Sequence, residues 1–129
     1  MIAVDTNIVV RLLTRDDESQ YNRSRQLFQE QEILIPDSVI LETEWVLRFS
    51  YRLRPSEVCE AFKNLMGLSN VHLVDKEGMV IVLQWHESGL DFADAFHLAK
   101  SQRCSAIYTF DVEFVNKATG LTACEVRQP

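Results

Sequence analysis

Short apolar runs alternate along the chain with longer segments in which apolar residues recur every three or four positions. The runs Ile2-Ala3-Val4, Ile33-Leu34-Ile35 and Val71–Val74 predict buried strands, and two more strands are predicted at residues 106–110 and 123–126. Helices are predicted at residues 7–14, 19–31, 37–51, 55–66, 76–85 and 91–102. Because strands and helices alternate, we expect an α/β fold with a central, mainly parallel sheet covered by helices on both faces.

Length and composition suit one globular domain over residues 1–129. The three cysteines are scattered without a CxxC pair, which argues against a disulfide framework and a zinc cluster. We find no signal-peptide pattern and no apolar run long enough to span a membrane, so we expect a cytoplasmic protein. The net charge of −6 disfavours a generic nucleic-acid binder but is compatible with a nuclease whose acids hold a metal ion.

Four acids from distant segments fall where a site is expected in such a fold. Asp5 follows the first strand and Asp111 the fourth, whereas Asp94 and Glu42 lie near the starts of two helices. Ligands of parallel α/β sheets bind beyond the carboxyl ends of the strands. The acids could therefore converge on one edge of the sheet.

Each acid also has a structural explanation. An aspartate after a strand is often a turn residue or a helix N-cap, and Asp91 is the expected cap of its helix, which leaves Asp94 without that duty. Glu44 lies four residues before Arg48, the favourable order for an exposed ion pair. Glu42 has mostly apolar helical neighbours and no basic one, so we favour it over Glu44 as the functional acid.

A cluster of carboxylates repels itself unless a cation joins it or the pKa values of its members rise. Oxygen ligands suit Mg²⁺ or Mn²⁺. Such an ion can activate a water molecule and stabilise the charge that develops on a phosphodiester.

Four segments resemble the motifs of the PIN-domain family, in the family's order. They are Val4–Arg11 with its Asp-Thr-Asn, Leu41–Arg48, Asp91–Ala99 and Thr109–Phe114 with its Thr-x-Asp. Chain length and Trp45-Val46-Leu47-Arg48 are most similar to VapC-type toxins of type II toxin–antitoxin systems.

The resemblance implies a three-layer α/β/α sandwich and an Mg²⁺- or Mn²⁺-dependent endoribonuclease. Its metal-binding and catalytic residues would be Asp5, Glu42, Asp94 and Asp111, and its products would carry a 5′-phosphate and a 3′-hydroxyl. The implied partners are the RNA substrate, a second copy of the chain and a VapB-type antitoxin.

One residue departs from the family pattern: Glu113 stands where members often carry a further aspartate, which leaves the number of metal ions open. Thr6, Asn7 and Thr109 could orient the carboxylates or serve as ordinary turn and cap residues. Arg11 could meet RNA phosphate or the antitoxin, or form a surface ion pair. For His97 we expect a packing role. Trp45, Phe49 and Tyr51 could form part of a groove for an antitoxin helix, but for Trp45 and Phe49 we expect core packing.

The main alternative is a catalytically silent PIN-like module that binds RNA or protein and holds a structural metal. A receiver domain would show an acidic pair near its start and a late lysine. A haloacid-dehalogenase-type phosphatase would have an aspartate where Asn7 stands. Both of these alternatives fit poorly.

Overall fold

A computed structural model describes all residues, 1–129, as five strands and seven helices. In chain order these are β1 (Ile2–Ala3), α1 (Thr6–Thr14), α2 (Glu18–Glu30), β2 (Ile33–Ile35), α3 (Asp37–Phe49), α4 (Pro55–Met66), β3 (Val71–Leu73), α5 (Lys76–Glu87), α6 (Phe92–Lys100), β4 (Ala106–Tyr108), α7 (Val112–Ala118) and β5 (Glu125–Arg127). The chain divides into two compact units, Met1–Lys76 and Glu77–Pro129.

The N-terminal unit contains a three-stranded parallel sheet in the order β1-β2-β3. The central strand is buried, with Ile33 and Ile35 at 0% and 1% exposure. Apolar residues at both ends of a three-residue strand favour such an interior position. Because consecutive strands run parallel, each connection crosses over through helices: α1 and α2 join β1 to β2, and α3 and α4 join β2 to β3.

The C-terminal unit contains a two-stranded parallel sheet of β4 and β5, with Ala106 aligned to Glu125. Helix α7 connects the two strands. Both sheets are parallel and both have helical connections, which confirms the predicted α/β class.

Most element boundaries agree with the sequence prediction to within one or two residues, but α7 was missed. Its pattern is an aspartate N-cap followed by Phe114 and Ala118, which are buried and four residues apart. The predicted strand at 106–110 is also shorter than expected, since it ends at Tyr108. Asp111 lies at the turn into α7, and its carboxylate accepts hydrogen bonds from the first turn of that helix.

Helix α3 presents a different face to solvent from the one expected. Trp45 and Phe49, predicted to pack in the core, are 55% and 56% exposed and contact each other with ring centroids 4.9 Å apart. Glu44, predicted to be exposed, is only 2% exposed. The predicted ion pair with Arg48 is present, with Nε of Arg48 2.9 Å from a Glu44 carboxylate oxygen. The prediction that this pair is exposed is wrong, because Glu44 is buried.

No helix combines the length and the apolar character needed to cross a membrane.

Candidate active site

In the N-terminal unit, Asp5 lies two residues after the end of β1 and caps α1. Its Oδ1 accepts a hydrogen bond from the backbone N–H of Ile8 at 3.3 Å, and its side chain is exposed. A cap fixes the orientation of the carboxylate, because the helix N–H groups hold one of its oxygens. Asp5 therefore has the capping role that the sequence left open, and its Oδ2 is not needed for that role.

Glu42 lies on an exposed part of α3, two residues from the buried Glu44. Its Oε1 accepts a hydrogen bond from the hydroxyl of Thr6, which is itself 93% buried, at 7% exposure. Thr6 follows Asp5 in the chain, so one buried hydroxyl links Glu42 to the segment that carries Asp5. The apolar surroundings expected for Glu42 are wrong, but the predicted auxiliary position of Thr6 agrees with this contact.

In the C-terminal unit, four carboxylates line one cleft of about 490 Å³. Asp91 caps α6 by accepting the N–H of Asp94 at 3.2 Å, as expected. Asp111 caps α7 by accepting the N–H groups of Glu113 and Phe114 at 2.9 and 3.2 Å. Glu113 and Asp94 are the other two carboxylates of the cleft. Asp94 lies in the first turn of α6, where Asp91 and not Asp94 is the N-cap. We call these four residues the acidic cleft.

Burial raises the pKa of Asp94 above its usual value, and the charges of Asp91, Asp111 and Glu113 raise it further. The charge of His97 acts in the opposite direction. His97 is exposed, so the packing role expected for it is wrong. Negative charge in the acidic cleft is thus incompletely balanced around Asp94.

Lys117 lines the same cleft and gives it one cation. Its Nζ is 2.8 Å from Glu113 and donates to the carbonyl of Gly89 at 3.0 Å. This ion pair was missed, although Glu113 and Lys117 have the i, i+4 spacing of a helical pair. Glu113 is therefore held by a lysine in this structure.

The donor set of the acidic cleft fits a hard divalent cation. Its charged donors are carboxylate oxygens, the ligands that Mg²⁺ and Mn²⁺ prefer, and the raised pKa of Asp94 marks charge that a cation would compensate. No group of three or more histidine, cysteine, aspartate or glutamate side chains is arranged so that it could hold a metal ion. Binding would then require side-chain adjustment or ligands from water.

The remaining predicted auxiliary residues have separate roles. Thr109 accepts the N–H of Asp111 through its hydroxyl at 3.0 Å and so shapes the turn that presents this carboxylate. Arg11 forms an ion pair with Asp16 at 3.0 Å, one of the alternatives left open. Asn7 is exposed and lines a second cleft, together with Asp5 and Arg11.

A model of the PIN domain matches residues 2–120. The chain belongs to the PIN domain family. PIN domains are generally metal-dependent nucleases, and the match includes every residue of the acidic cleft as well as Asp5 and Glu42. No curated protein matches the chain significantly.

Proposed function

We propose that this PIN domain protein is an Mg²⁺- or Mn²⁺-dependent endoribonuclease, and that Asp5, Glu42, Asp94 and Asp111 form its active site. The observation that carries the proposal is the acidic cleft, where carboxylates from α6 and α7 crowd a partly buried aspartate. Such crowding favours cation binding over independent solvation of each carboxylate. Family membership supports nucleic acid as the substrate.

The four acids would hold the divalent ion, directly or through water. When bound, the ion would activate a water molecule and stabilise the charge on the phosphodiester. Thr6 keeps Oε1 of Glu42 oriented through its hydroxyl, and the caps of α1 and α7 do the same for one oxygen each of Asp5 and Asp111. Because the orientation of these carboxylates is already fixed, they lose less conformational entropy when the ion and the substrate bind.

The biological role within this proposal is that of a toxin, neutralised by a VapB-type antitoxin, with the toxin acting as a homodimer in the cytoplasm. The resemblance of Trp45-Val46-Leu47-Arg48 to VapC-type toxins supports this role. The alternative is a silent module that binds RNA or protein and retains the ion for structural reasons.

Cleavage of total bacterial RNA by the purified protein tests the nuclease. We would compare Mg²⁺, Mn²⁺ and EDTA, and run Asp5→Asn and Asp94→Asn beside Glu60→Gln. Glu60 is an exposed acid of α4, so its change removes the same unit of charge outside the proposed site. We expect metal-dependent fragments from the wild type and Glu60→Gln, and at least a hundredfold loss of rate in both aspartate variants, on the order of a lost electrostatic contribution to catalysis.

Equal cleavage by the aspartate variants would rule out the proposed site. A folded, metal-loaded protein that binds RNA without cleaving it would support the silent binding module.

A further inference from the structure

A second cleft lies between α1 and α2 in the N-terminal unit, with a volume of about 640 Å³. Asp5 and Asn7 line it together with two arginines, Arg11 and Arg23. Of its ten lining residues only Ile8 and Leu27 are apolar, and the two arginines are matched by two acids, Asp5 and Glu30. We call it the α1–α2 cleft. Most of its lining residues are polar, which favours a polar ligand over an amphipathic peptide helix, since such a helix would need an apolar strip to bury.

Arg11 is held in place along this cleft. Its Nε donates to Gln20 at 2.6 Å, and its Nη1 donates to Asp16 at 3.0 Å and to the hydroxyl of Tyr51 at 3.3 Å. Tyr51 in turn donates to Asp16. These bonds use two of the three nitrogens of the guanidinium group, so the Nη2 group remains for a ligand without loss of the existing contacts.

Arg23 lies across the cleft on α2 and forms no ion pair, unlike Arg11, which is paired with Asp16. An exposed unpaired arginine alone would not indicate a site, because Arg25 in the same helix is also exposed and unpaired. Arg23 differs from Arg25 because it lines a cleft that also contains Asp5 and the guanidinium group of Arg11, which hydrogen bonds hold in place. Guanidinium groups bind phosphate oxygens through paired N–H donors.

We propose that the α1–α2 cleft binds the backbone of the single-stranded RNA substrate, with one phosphate held by Arg23 and the Nη2 group of Arg11. The proposal rests on the nuclease function proposed above and names the residues that position its substrate. A phosphate bound here would direct the neighbouring nucleotides along the cleft toward Asp5. The protein as a whole carries a net charge of −6, so its affinity for RNA must come from such local cations.

The test compares Arg23→Ala and Arg23→Glu with the matched control Arg25→Ala. Arg23 is exposed, so neither of its substitutions should prevent folding. Binding of a fluorescent single-stranded RNA pool would be measured by anisotropy in the Asp94→Asn background, between 50 and 300 mM salt. Kinetic constants would be measured in the otherwise wild-type protein.

We expect Arg23→Ala to raise the Kd about five- to tenfold and Arg23→Glu to raise it further. The slope of log K against log salt should fall in magnitude by about 0.7, the value for one phosphate contact on a single strand. In the active protein, KM should rise while kcat stays within about threefold, because the arginine binds substrate without touching the reacting atoms. Arg25→Ala should change the Kd less than twofold.

Two results separate this proposal from the nuclease proposal. If the wild type cleaves RNA while Arg23→Ala and Arg25→Ala behave alike, the cleft assignment is wrong and the nuclease stands. If the wild type binds RNA in an Arg23-dependent way but never cleaves it, the cleft stands and the nuclease is wrong. Loss of binding to a co-expressed protein partner with unchanged RNA affinity would overturn the cleft assignment in favour of a peptide ligand.

Discussion

At the scale of single residues, Asp94 differs from the other three proposed ligands. The carboxylates of Asp5 and Asp111 accept hydrogen bonds from helix N–H groups, and the carboxylate of Glu42 accepts one from the Thr6 hydroxyl. Asp94 instead lies partly buried beside other carboxylates, and the pKa of its carboxyl group is raised. Its ionised form is therefore less favourable in the folded protein than in the unfolded chain when no cation is bound.

This difference predicts how Asp94→Asn changes stability. A carboxyl group whose pKa is higher in the folded protein stabilises the fold at pH values below its unfolded-state pKa of about 3.9. This stabilisation is lost as the pH rises through the pKa of the folded state. At pH 7 in EDTA we therefore expect Asp94→Asn to have a higher Tm than the wild type, with the difference shrinking as the pH falls toward 4. Added Mg²⁺ should raise the Tm of the wild type and leave the variant nearly unchanged.

Thermal melts at several pH values, with Glu60→Gln as the charge-matched control, measure both effects. A lower Tm for Asp94→Asn at pH 7 in EDTA would contradict the electrostatic account of the acidic cleft.

At the scale of elements, helix α3 has one face buried in the protein and another exposed to solvent. Its buried face carries Ile40, Thr43, Glu44 and Leu47, and Glu44 is neutralised by Arg48 through two contacts of 2.9 and 3.1 Å. The exposed face carries Trp45 and Phe49, and Glu42 is exposed as well. Residues two apart on a helix point to different sides, which explains how Glu42 stays accessible while Glu44 is buried.

The Glu44–Arg48 pair should matter for stability more than an exposed pair does. Removing one partner of a buried ion pair costs about 3–5 kcal/mol, but Arg48 is 38% exposed and can be partly solvated. We expect Glu44→Gln to lower the free energy of unfolding by about 1–3 kcal/mol in urea denaturation. Glu18→Gln, which breaks the exposed pair with Arg15, should lower the free energy of unfolding much less, because solvent screens that pair. Similar costs for the two variants would show that burial does not strengthen the α3 pair.

At the scale of the whole molecule, the chain is acidic and matches the PIN domain over residues 2–120. The proposed toxin role adds a consequence beyond cleavage in vitro, because uncontrolled RNA hydrolysis would stop protein synthesis.

Induced expression in bacterial cells without an antitoxin should therefore arrest growth. Asp94→Asn should leave growth unaffected at equal protein level, whereas Glu60→Gln should arrest it like the wild type. Growth curves with immunoblots for protein level measure this. Equal arrest by Asp94→Asn would show that toxicity does not depend on the proposed active site.

Features that depend on residues close together in the chain can be predicted from the sequence alone. The alternation of strands and helices, the position of Asp5 after β1 and the cap formed by Asp91 follow from local periodicity and from the backbone groups that each helix start leaves unpaired. Helix α7 has a local signal too, the Asp111 cap with Phe114 and Ala118, but the predicted helices do not include it.

The buried face of α3 and the crowding of particular acids depend instead on how distant parts of the chain pack together. Helical spacing places apolar residues near both Glu42 and Glu44, so only long-range packing determines which of the two is buried. The structure buries Glu44 and exposes Glu42, the opposite of the prediction from helical neighbours. The Thr6–Glu42 hydrogen bond joins residues 36 positions apart. The acidic cleft brings together residues at the starts of α6 and α7, two helices that β4 separates in the sequence. Contacts of this kind are set by how elements pack, because no local rule relates residues so far apart in the chain.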